Sequence, residues 1–189
     1  MAWQTLQFRL TSSCPMLMHN GQTADPLNKW SKLIKKISGK RAKTDEDHER
    51  ISYLEFMAGL YMSEDGPILP SYLIDAVIIK GANLSKEGTL AKSGMFAPTY
   101  AVLEYEGPRV AEELWEHGGF TDRQPARVSG ARIIRTRPIF RQWSTIVTVN
   151  VEPEIINPSL ISDWLITAGK RIGVGDWRPQ HGRFTVERV

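Results

Sequence analysis

The densest group of residues able to do chemistry runs from Lys170 to Phe184, KRIGVGDWRPQHGRF. Gly173, Gly175 and Gly182 alternate there with Lys170, Arg171, Arg178, His181 and Arg183, and Trp177 stands in the middle. Glycine lets backbone amides approach a phosphate closely. Lysine and arginine neutralise its charge, and an indole offers a face on which a base stacks. The mixture suits contact with single-stranded nucleic acid. It is not a nucleotide-binding P-loop, because the Gly-Lys-Ser/Thr ending is missing and the segment leads from helix to strand. A purely structural reading is a helix stop followed by a hairpin, with Trp177 capping the core.

Two further basic zones stand apart from this loop. Between Pro26 and Thr44 lie Lys29, Lys32, Lys35, Lys36, Lys40, Arg41 and Lys43 with no acid among them, and Asp45, Glu46, Asp47 and Glu49 follow directly. That stretch reads either as a phosphate-binding surface or as a solvated connection. The second zone is arginine-only: Arg123, Arg127, Arg132, Arg135, Arg137 and Arg141, with Asp122 the one acid. Arginine's flat fork suits phosphates and base faces. On a strand, Arg135 and Arg137 share a face with Ile133, which suggests a phosphate-holding face or a charge-protected sheet edge. The carboxylates form no ligand pattern, and the acids after Thr44 read as a helix start favoured by the helix dipole. No metal site and no cofactor is expected. Cys14, the single cysteine, reads as a structural thiol.

These residues need elements to hold them. Gln4 to Leu10 alternates, with Leu6, Phe8 and Leu10 facing one way, which predicts a half-buried strand. Residues 26–45 read as a polar connection. Tyr53, Phe56, Met57, Leu60 and Tyr61 put one apolar face on a helix over 46–62. Ser71 would cap a helix carrying Leu73, Ile74, Val77 and Ile78 and ending at Lys80-Gly81. The stretch 84–130 is irregular, with a strand near Tyr100–Tyr105, a short element over 110–117 and a loop from Gly118 to Gly130. Ala131–Phe140 and Trp143–Val151 read as successive strands rich in β-branched residues. Asn157-Pro158 starts a helix striped with Leu160, Ile161, Trp164, Leu165, Ala168 and Ile172, and Arg183–Val189 is the last strand. With insertions at about 22–66 and 84–130 set aside, the order is β-α-β-β-α-β. That predicts an α+β fold of the ferredoxin-like (RRM-like) kind in a single domain over 1–189.

A glycine-rich loop between the second helix and last strand of such a domain resembles the hallmark of the RAMP superfamily of CRISPR-associated RNA-binding proteins. TLQFRLTSSCPMLMHNG is similar to the N-terminal segment of that superfamily's crRNA-binding backbone subunits, and ILPSYLIDAVIIKGA, Ile68 to Ala82, resembles their first-helix segment. Together the three segments cover under half of the chain. Two features depart from the pattern: Asp176 puts an acid inside the loop, and the chain is short for a backbone subunit, which suggests a compact relative of phage or mobile-element type. The resemblance implies non-catalytic binding of single-stranded RNA or DNA, self-association along a guide, or assembly with other CRISPR-type subunits. It places Gly173, Gly175 and Gly182 as the loop glycines, Lys80 beside the first helix, and the basic stretch 29–43 in an inserted segment.

Relatives in that superfamily include metal-independent ribonucleases, so an endoribonuclease is a second expectation. Cleavage of that kind needs a base for the 2′-hydroxyl, an acid for the leaving oxygen and a cation on the phosphate. His19 and His181 are the candidate bases, with Lys80 and Arg178 as cations, while His48 and His117 read as solvated. A third reading is a protein-interaction module that inhibits or mimics a CRISPR-type complex, because this fold hosts many functions. The opening residues lack the charged start and apolar run of a signal peptide, and no run spans a bilayer. With one cysteine, this predicts a cytoplasmic protein with no membrane partner.

Overall fold

A computed structural model describes residues 2–128 and 131–189. In chain order the elements are β1 (Gln4–Ser12), β2 (Met16–Leu17), α1 (Lys29–Ser38), α2 (Asp45–Gly59), β3 (Met62–Ser63), β4 (Gly66–Leu69), α3 (Ser71–Leu84), α4 (Gly88–Gly94), β5 (Met95–Phe96), β6 (Ala101–Val102), α5 (Ala111–His117), β7 (Thr121–Val128), β8 (Ala131–Phe140), β9 (Ser144–Val151), α6 (Ser159–Arg171) and β10 (Phe184–Arg188). The fold is α+β with antiparallel sheets. Two compact units divide the chain: one holds the residues up to 16, 62–106 and 140–189, the other 17–61 and 107–139. Among the described residues no helix is long and apolar enough to cross a membrane.

In the first unit β1 is central. Its alternation pairs Leu6 with Val149 and Phe8 with Val147 on β9, and Leu10 with Val186 on β10. A one-residue slip would turn these side chains to the solvent face. Leu6, Phe8, Leu10, Val147, Val149 and Val151 are all at most 3% exposed. The sheet order is β10-β1-β9-β5, every pairing antiparallel. The opposite face is polar, with Thr5 donating to Asn150 (2.9 Å) and Arg9 bridging Glu104 (2.6 Å). Ile74, Val77 and Ile78 of α3 join Ile161, Trp164, Leu165 and Ala168 of α6 in the core. The two helices approach where Gly81 meets Trp164, because a Cβ there would lie 2.1 Å from the Trp164 carbonyl oxygen. Gly81 thus serves this close approach and does not stop the helix, which runs on to Leu84. Ser71 is its first residue rather than its cap, which is Pro70.

The second unit is built on α2, whose first turn carries a capping box: Thr44 accepts from the Asp47 N–H and Asp47 accepts from the Thr44 N–H. Phe56 and Tyr53 of α2 meet Trp115 of α5 edge-on, with centroids 5.4 and 5.5 Å apart. Two stretches read as loops are regular here. Residues 29–38 form α1, capped by Asn28, whose Oδ1 accepts from the Trp30 N–H at 2.9 Å. Trp30, Leu33, Ile34 and Ile37 supply an apolar stripe that the surrounding lysines obscure. Residues 121–128 form β7, paired along β8 from Thr121↔Pro138 to Val128↔Ala131. Pro125 sits inside β7 because this strand is at an edge, where a missing N–H costs no ladder bond. β8 lies in the middle, between β7 and β2. Because β2 is only two residues long, it covers a small part of that side of β8, and the sheet partners of β8 differ from those of β9, which the order read from sequence had placed beside it.

Candidate functional site

The glycine loop of the first unit is a closed projection. The Val174 N–H donates to the Gly182 carbonyl at 2.9 Å, and the Gly182 N–H donates to the Pro15 carbonyl at 2.8 Å. Val174 is buried (2% exposed) and anchors the base. Gly173, Gly175 and Gly182 hold φ of 80°, 86° and 78°. A side chain at 182 would meet the Val174 carbonyl oxygen at 1.7 Å, so only glycine closes this loop. Cys14 ties it from β1's end: its Sγ accepts from the Arg183 N–H (3.2 Å) and donates to the Gln180 carbonyl (3.6 Å). The thiol is a structural, half-buried group.

Trp177 does not cap the core. It is 39% exposed, and its backbone takes φ 56°, a conformation that costs a bulky residue free energy. Its indole lies flat on the His181 imidazole, with centroids 5.9 Å apart and planes at 9°. The buried Nδ1 of His181 has no hydrogen-bond partner among the described residues. Lys80, Arg171, Ile172, Asp176, Trp177, Arg178 and Pro179 line an open depression of about 450 Å³. Partial burial, and then the positive charge of Arg178, hold the Lys80 ammonium below the usual lysine range. The site therefore crowds cations and gains from any anion that enters. Lys170 and Arg183 are exposed at the two ends of the loop and do not line the depression.

The second unit draws together another set. His19, Lys35, Arg135 and Arg137 line one cavity of about 250 Å³, with Asn20, Ser31, Ile34, Ser38, Ala58 and Glu55. Spacings of three and four bring Ser31, Ile34, Lys35 and Ser38 of α1 to one face, and Glu55, Ala58 and Gly59 of α2 to another. Glu55 holds the floor: one carboxylate oxygen accepts from Arg135 and the other from the Thr136 N–H at 2.9 Å. Nothing in the sequence singled out Glu55, a lone acid within an apolar helical pattern. The rest of the Lys-rich zone stays outside. Lys29, Lys32, Lys36 and Arg41 are exposed, Lys29 lies over the Trp30 ring (4.6 Å to the centroid), and Lys40 pairs with Asp47 at 2.6 Å. The side chain of Arg127 lies outside the described residues. Thus the two candidate histidines belong to different clusters, His19 to the cavity and His181 to the loop.

Compared with known protein families the chain matches none, and no curated protein is significantly similar to it in sequence.

Proposed function

We propose that this chain is a nucleic-acid-binding protein of RAMP type, which holds single-stranded RNA or DNA at its glycine loop without cleaving it. One observation carries the reading: Trp177 is kept exposed, in a costly backbone conformation, beside Lys80, Arg171 and Arg178. A costly conformation at a surface residue points to use rather than packing. An indole flanked by cations is what a stacked base and its phosphates require. The strand order supports the same reading. Taken as β1-α3-β5-β9-α6-β10, the first unit has the succession of a ferredoxin-like βαββαβ, with the two-residue β5 as its second strand. The glycine loop then falls between the second helix and the last strand, as the RAMP resemblance expects. Self-association along the strand, or assembly with CRISPR-type subunits, belongs to the same proposal.

The test is purification with and without nuclease, reading the 260/280 absorbance ratio and the mass in solution. Co-purifying RNA on a species larger than one chain is the expected result. A clean monomer that also fails to bind single strands in a salt-sensitive manner overturns the proposal and leaves the protein-interaction reading. Cleavage of RNA without added metal, lost in His19→Ala or His181→Ala, replaces it by the endoribonuclease reading.

A further inference from the structure

The cavity of the second unit shares no residue with the glycine loop, and nothing in the nucleic-acid reading requires it to be hollow. We infer that it is a separate binding site for a phosphate monoester on a single nucleoside. Its charge is the first argument. Lys35, Arg135 and Arg137 line it against one carboxylate, and that carboxylate is already engaged: Glu55 gives one oxygen to Arg135 and the other to the Thr136 N–H. The cavity therefore presents a net positive lining to an incoming group. Two arginines two residues apart on β8 lie on one face, about 7 Å from one another along the strand. Such a pair brackets a tetrahedral oxyanion, and guanidinium forks match phosphate geometry.

Size and the remaining walls narrow the ligand. A space of about 250 Å³ is near the lower end of small-molecule pockets. It accommodates one nucleotide and not a strand. Ile34 offers apolar surface to a base or sugar, while Asn20, Ser31 and Ser38 offer polar atoms at the walls. Construction from three separate segments also matters. α1 contributes its Ser31-Ile34-Lys35-Ser38 face, α2 contributes Glu55 and Ala58, and β8 contributes the arginines. The same monoester chemistry is presented by a free mononucleotide and by the 5′-phosphorylated end of a strand.

The experiment measures affinity by calorimetry with the intact protein, using adenosine 5′-monophosphate, adenosine, and an oligonucleotide with and without a 5′-phosphate. Saturable binding of the monophosphate, with adenosine at least tenfold weaker, is expected. Lys35→Ala, an exposed position that leaves Glu55 and Arg135 paired, weakens the monophosphate by about tenfold, the usual loss for one charge-assisted contact. Lys35→Arg restores most of it. Lys80→Ala and Arg178→Ala leave it unchanged, which separates this site from the loop. A phosphorylated oligonucleotide that binds better than its hydroxyl form through Lys35 identifies a strand end as the source, and equal binding of the two identifies the free nucleotide. No saturable binding of the monophosphate by folded protein, or binding indifferent to Lys35→Ala, overturns the inference.

Discussion

The sharpest perturbation of the glycine loop separates charge from stacking. Lys80, Arg171 and Arg178 border the depression and Trp177 forms its exposed aromatic wall. For a single strand, each phosphate neutralised contributes about −0.7 to the slope of log K against log salt. Removing two contacts in a Lys80→Ala/Arg178→Ala double variant should make the slope shallower by about 1.4. Between 50 and 200 mM salt, wild type then loses roughly sevenfold more affinity than the variant. Trp177→Ala should behave differently. It removes a stacking face worth about 1–3 kcal/mol per base, a loss of roughly 5- to 150-fold, with the slope unchanged. The assay is fluorescence anisotropy on a labelled strand of about twenty nucleotides, longer than one loop can cover. The depressed Lys80 adds a direction: because only the ammonium binds, affinity starts to fall at a pH lower than the ordinary lysine value of 10.5 would imply. A double variant with the wild-type slope, or Trp177→Ala with wild-type affinity, would refute the placement of the strand at this loop.

Three other outcomes follow from packing and charge. Gly182→Ala should cost roughly 2 kcal/mol or more in urea unfolding, because a positive φ and a 1.7 Å approach to the Val174 carbonyl oxygen act together. Glu55→Ala should cost about 2–4 kcal/mol, since it leaves the Thr136 N–H and the Arg135 guanidinium without their acceptor, and Glu55→Gln should cost less. Glu87 is held below the ordinary glutamate value of 4.5, first by the Ser85 hydroxyl and then by the Trp164 indole N–H. Its folded-state pKa is depressed, so its contribution is present above 4.5 and fades as pH falls through the lower folded-state value. Glu87→Gln should therefore be less stable than wild type at neutral pH and converge with it in acid, which denaturant midpoints across a pH series will show.

In the sheet of the first unit β1, β9 and β10 were legible because their residues obey one period, while the two-residue β5 was not. Leu6, Phe8 and Leu10 alternate, Trp164 and Leu165 sit on a 3.6-residue stripe, and each lies where that pattern puts it. The second unit was not, for two physical reasons. In α1 four lysines are interspersed with four apolar residues, so a helix that rests a single stripe on its neighbour reads as a solvated connection. In β7 a proline and several polar residues are tolerated because the strand is at an edge. Segments 22–66 and 84–130, set aside as insertions, overlap the two stretches that make up this unit, 17–61 and 107–139. Their mutual contact is long-range in sequence and leaves no local signal. The glycine loop lies in the opposite category: its residues are contiguous, so Gly173, Trp177, Arg178 and Gly182 were all visible, while the contribution of Lys80, ninety residues earlier, rested on resemblance alone.

The Lys-rich run of the sequence is divided in the fold between a cavity wall and solvent. Of the Lys-rich zone, Lys35 turns toward a cavity because it shares a helical face with Ser31, Ile34 and Ser38, while Lys40 is occupied by Asp47 and Lys29 by its neighbouring indole. Exposed cations such as Lys32 and Lys36 act through solvent and are screened over about 8 Å at physiological salt. They can raise the rate of encounter with a polyanion but contribute little to what is held. Lys80 and Lys35 are also exposed, but each stands at a concave wall beside arginine side chains, so an anion that enters meets more than one cation. The consequence is a division of labour that can be measured. Substituting Lys32 and Lys36 together should lower the association rate at low salt and leave dissociation unchanged, whereas substituting Lys80 should accelerate dissociation at every salt concentration. Stopped-flow mixing with a labelled single strand reads both. Equal effects of the two sets of substitutions on dissociation would mean that the strand lies along α1 as well, and that the exposed lysines hold it directly.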